Sequence, residues 1–167
     1  MEYGMIHDLV KRFDSDLSRG AVDADKYYSD AKDVVSKTPL KQLVGEFNEV
    51  LKQYPEFREL PNAEPDTARL ILFAGALFTA SCMSKEPGRD AFVLLGYSYS
   101  SLATGRTLDA AVFLLASIAL IRGRNDVAAG LLRIIGFDLE GIINFACSAV
   151  GLAKLLKNRG ISSIPDW

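Results

Sequence analysis

The residue types that carry chemistry are sparse in this chain. There is one histidine, His7, so no histidine pair exists to hold a metal, and no Ser or Cys nucleophile has an obvious base. His7 falls on the polar side of the first amphipathic helix, where a surface role is the simple reading. The two cysteines, Cys82 and Cys147, stand far apart in apolar helical runs and match no metal or redox spacing. They read as free, buried thiols of a reducing cytosol. Glycine-rich turns do not follow strands here, so they are not phosphate-cradling loops.

One acidic pattern could support catalysis. Glu46 and Glu49 are three apart, as are Glu56 and Glu59. Carboxylates at that spacing share a helix face and can hold Mg²⁺ for phosphoryl chemistry, as in all-α nucleotide pyrophosphatases. Here the second pair follows Pro55 and falls in a connector, so solvated acidic surface is the simpler account. No cofactor is implied, and the balance of residues points away from catalysis.

The basic residues of the second half are better organised. Turns in an up-and-down stack alternate between its ends. Lys85, Arg89, Arg122, Arg124, Lys154, Lys157 and Arg159 would then gather at one end, with Arg106, Asp109, Asp138 and Glu140 at the other. Such an end could attract phosphate, an acidic peptide or an anionic membrane. Cations at helix C-termini and acids at N-termini also cap helices, which explains many of the same residues. Tyr97 and Tyr99 lie two apart and so face different sides of one helix. One should pack, and Tyr97 is the candidate for a recognition surface.

The elements that must position these groups are helices. Apolar residues recur at helical spacing over 3–17, 22–36 and 40–54, with charges opposite. Thr38 and Pro39 predict the cap and first turn of the third helix. The three prolines within 55–65 break the pattern. Five more apolar helices follow, over 66–84, 90–104, 108–121, 125–136 and 139–158. The expected organisation is a three-helix portion over 1–54, a connector over 55–65 and a five-helix hairpin stack over 66–160, forming one structural domain. About half of the 167 residues are apolar and a quarter charged, enough for a core without metal or disulfide staples. The longest charge-free stretch, 70–84, is 15 residues, short of the roughly 20 that span a bilayer.

Charge is unevenly spread. Residues 1–70 hold 14 acids and 10 bases, and the remainder holds 7 acids and 9 bases. Neither part has the strongly basic footprint of a nucleic-acid binder. The second portion is paced by a recurring turn: Gly88-Arg89 with Asp90, Gly105-Arg106 with Asp109, and Gly123-Arg124 with Asp126. Gly105 and Gly123 should close the preceding helix, while Gly88 ends a loop after Pro87. The aspartates should accept backbone N–H groups of the next.

Leu95, Gly96 and Tyr99, and then after two extra residues Gly105 and Ala110, fall on the positions of a tetratricopeptide motif, and Leu115, Ala116, Ala119, Gly123 and Ala128 follow it without insertion. Over about residues 90–136 the chain therefore resembles helical-hairpin repeats of that class. The resemblance implies stacking that binds a partner by shape. The two matches share one helix, so they are not tandem repeats in register. Helix 110–121 is apolar on every face, and 70–83 nearly so, which places both centrally and favours a compact bundle over an open solenoid.

The expected fold is all-α, a compact multihelical bundle of about eight antiparallel helices. The expected function is a non-enzymatic, cytoplasmic interaction or scaffold protein. Its partner would be another protein or a second copy in a homo-oligomer, not nucleic acid or membrane. The first alternative is a peripheral binder of anionic membrane or nucleic acid through the basic end, using Arg89, Arg122, Arg124, Lys157 and Arg159. The second is a Mg²⁺-dependent nucleotide hydrolase.

Overall fold

A computed structural model describes residues 4–85 and 88–158, with side chains described as far as residue 148. Among them are eight helices: α1 Met5–Arg19, α2 Ala24–Ser36, α3 Leu40–Leu51, α4 Thr67–Cys82, α5 Gly88–Ala103, α6 Thr107–Ile121, α7 Asn125–Ile134 and α8 Leu139–Asn158. The architecture is an all-helical, compact bundle.

Helix α6 sits at its centre. Every residue from Ala110 to Leu120 is buried, and α1, α2, α5 and α7 all pack on it. A helix this apolar cannot sit at a surface without exposing one side to water. Its central place makes the two portions one body, because α1 and α2 supply walls that the later helices lack. The main hydrophobic core accordingly runs from Ile6 to Leu132, and a smaller cluster of Val93, Ile143 and Ala146 lies between α5 and α8.

Small residues let α5 and α6 approach. Ala91 and Ser98 on α5, and Ala110 and Ser117 on α6, recur at heptad spacing and are almost fully buried. Ser98 Oγ donates to the Ala110 carbonyl at 2.7 Å, and Ser117 Oγ donates to the Ala91 carbonyl at 2.9 Å. Each helix thus braces the first turn of its antiparallel neighbour. Both hydroxyls are satisfied where burial would otherwise be costly.

The turns close as the glycine spacing predicts. Gly105 and Gly123 have φ of +78° and +74°. Arg106 N–H reaches Ser101 O and Arg124 N–H reaches Ala119 O, each at 2.8 Å, the six-to-one bond of a Schellman cap. The aspartates act differently from expectation. Asp109 pairs with Arg106 at 2.6 Å, Asp126 with Arg124 at 3.2 Å and Asp90 with Arg89 at 3.3 Å. Neither α6 nor α7 has a side-chain cap. Arg106 and Arg124 themselves hold the N-cap positions, so Asp109 and Asp126 fall inside the first turn, where each pairs with its arginine. Thr38 likewise caps nothing ahead of it. Its hydroxyl donates back to Val34 O at 2.8 Å and closes α2.

The connector after α3 is clamped rather than loose. Asn48 Nδ2 donates to Ala63 O at 2.9 Å, and Ala63 N–H donates to Asn48 Oδ1 at 3.0 Å. Tyr99 of α5 adds a longer bond to the same oxygen, 3.4 Å. Tyr54 and Phe57 are buried beneath this segment.

Helix α4 departs from the sequence reading. It is not enclosed: Ile71, Leu72 and Met83 are 53%, 60% and 82% exposed. Only its Leu70, Ala74 and Leu77 side turns into the core. Cys82 is exposed and Cys147 half-buried, so neither is the buried thiol expected. Among the described residues, no helix is long and apolar enough to cross a membrane.

Candidate functional site

A cleft of about 380 Å³ opens between α1, the end of α3 and the turn joining α6 to α7. Helix α1 contributes His7, Lys11 and Asp14, spaced four and three residues apart and hence on one face. Val10 and Val50 form its apolar floor. Gln53 and Tyr54 follow α3, and Arg122 enters from the α6–α7 turn.

The Asp14–Arg122 pair is the cleft's charged wall. Arg122 Nε and Nη2 bond both carboxylate oxygens at 2.8 and 2.9 Å, a bidentate fork. Tyr54 O–H donates to Asp14 Oδ2 at 3.0 Å. The guanidinium also lies 5.4 Å from the centre of the Tyr54 ring. Arg122 is the largest cause that holds the Asp14 carboxyl below its usual range, and the Tyr54 bond adds to it. Burial pushes the Tyr54 phenol well up, reinforced by the charge on Asp14. The phenol therefore stays a donor at any physiological pH.

Arg124, next along the turn, is spent on structure. Its Nη1 donates to Leu17 O and Gly20 O at 2.7 Å each, satisfying carbonyls at the C-terminus of α1. The Gly-Arg turn thus docks the end of one helix on another 100 residues away. Two of the cations proposed for a basic end, Arg122 and Arg124, are engaged within the chain. Arg89 pairs with Asp90 on α5. Lys157 lies in α8 beyond the described side chains, and Arg159 lies outside the described residues.

Tyr97 is not a solvent-facing recognition group. Its ring stacks on Phe113 with centroids 5.4 Å apart, and its hydroxyl donates to Ile142 O at 2.8 Å, tying α5 to α8. Tyr99 is wholly buried. The acidic pairs do not assemble. Glu46 Oε1 accepts the Ile6 N–H at 2.9 Å and so caps α1 from α3, while Glu49 pairs with Lys52. Among the described residues, no three His, Cys, Asp or Glu side chains are placed to hold a metal ion.

The polar side of α1 predicts a surface place for His7, and no motif marks Asp14 or Tyr54. In fact the His7 side chain is only 21% exposed and lines the cleft. The shared face of residues 7, 11 and 14 was available as a signal, but nothing in the sequence pointed to Arg122 as its partner.

A second feature is the outward side of α4. No charged residue occurs between Leu70 and Ser84, and the exposed positions Ile71, Leu72, Ala76 and Met83 are uncharged throughout. Phe145 is 71% exposed on α8, which packs against α4. Compared with family models, curated proteins and solved structures, the chain matches none of them.

Proposed function

We propose that this chain works through protein contacts, as a non-enzymatic helical protein that self-associates through α4. The observation that carries the reading is the charge-free exposed side of that helix, where Leu72 and Met83 are 60% and 82% exposed. Scattered surface leucines need no explanation, but several large apolar groups on one uncharged helix face are a contact surface.

A second copy is the occupant that suits it. Leu72 and Met83 lie about 16 Å apart along the helix, with small Ala76 between them. Two such helices crossing antiparallel are closest at the middle, where the side chains are small. They diverge toward the ends, where Leu72 of one can meet Met83 of the other. No charge lies between Leu70 and Ser84, so an antiparallel copy brings no like charges together across the contact.

Light scattering after size exclusion tests this at about 100 μM, where a micromolar dimer is populated. The parent should elute at twice the 18.2 kDa chain mass. Leu72→Glu and Met83→Glu should elute as monomers with unchanged helicity, since both positions are exposed. A monomeric parent, or glutamate variants that stay dimeric, overturns the reading.

A further inference from the structure

Independently of the α4 surface, we propose that the cleft between α1, α3 and the α6–α7 turn binds a small molecule bearing a carboxylate or phosphate. Three observations meet there. The first is size: about 380 Å³ falls in the range of small-molecule sites.

The second is charge. Two cations, Lys11 and Arg122, line the cleft against one carboxylate, Asp14. Asp14 is already balanced by the bidentate fork from Arg122. Lys11 has no carboxylate within ion-pair distance among the described residues, so the lining holds one positive charge in excess. Beyond the lining, Asp8 Oδ1 is 3.9 Å from His7 Nδ1. Glu56 acts on both Tyr54 and Arg122 at longer range. Neither acid is part of the wall that Lys11 faces.

The third is preorganisation. The Arg122 Nη1 group takes no part in the fork to Asp14, and 47% of that side chain is exposed. Asp14 and the Tyr54 ring hold the guanidinium in one orientation, so an arriving anion need not order it. Lys11 can then approach the same anion as a mobile point charge, while Val10 and Val50 offer an apolar rest for the ligand's body. Gln53 supplies an amide at the rim.

The chain's sole histidine makes the test specific, because any imidazole NMR signal reports on this cleft. Titrating the whole protein with inorganic phosphate, and separately with isobutyrate, at constant ionic strength should give a saturating His7 shift in at least one arm. The arm that saturates at the lower concentration identifies the headgroup. Lys11→Gln and Lys11→Glu, on an exposed helix position, should weaken that binding by about tenfold or more while leaving the fold intact. The proposal is overturned if neither anion gives a saturating shift, if chloride gives the same response, or if the lysine variants bind as the parent does.

Discussion

Asp14 joins three segments that are distant in sequence. It takes a fork from Arg122, 108 residues later, and a phenol from Tyr54, 40 residues later. Its pKa is depressed in the folded state, chiefly by the Arg122 bond. A depressed carboxyl stabilises the fold above its unfolded pKa, about 3.9, and that contribution is lost as pH falls through the lower folded value. Asp14→Asn should therefore cost about 1 kcal/mol at neutral pH, a figure reduced by the exposure of Arg122. The difference from the parent should narrow below about pH 4. Urea melts of both proteins at pH 7 and pH 2.5 check the sign. A gap that is equally wide in acid would mean that lost packing, not lost charge, is responsible.

At the scale of elements, helix limits follow from local chemistry. Period, cap and glycine act within a few residues, so helices predicted over 108–121 and 139–158 appear as Thr107–Ile121 and Leu139–Asn158. The same locality lets one substitution act in opposite directions. Gly123 has φ +74° and open space around it, so Gly123→Ala should cost about 1 kcal/mol through backbone strain alone. Gly45 is exposed within α3, and a Cβ there meets nothing within 4 Å. Gly45→Ala should therefore add up to about 1 kcal/mol from helix propensity. Thermal melts of the two variants, moving apart from the parent in opposite directions, test both. Where a residue had competing partners, local reasoning failed. Asp109 and Asp126 could cap a helix or pair with the neighbouring arginine, and only the arranged turn selects the ion pair.

For the whole molecule, the boundary at 55–65 marks a change in composition without a change of core. Helices α1 and α2 wall the buried α6, and Asn48 fastens the connector to α3. Each portion lacks a surface that the other supplies, so the chain should unfold as one unit. Far-UV and near-UV circular dichroism should give coincident urea transitions. Two separated transitions would show that the portions fold alone.

The amino-acid pattern alone determined that the chain is helical, the approximate span of each helix, and that the 110–121 helix is central. These depend on apolar periodicity and turn residues, which act over short distances. Tertiary structure decided which apolar helix remains exposed, and it reversed the expectation for 70–83. Both candidate helices lack charge, and charge alone cannot tell which one its neighbours surround. It also decided the cleft, because His7, Asp14, Tyr54 and Arg122 meet only after three elements have docked.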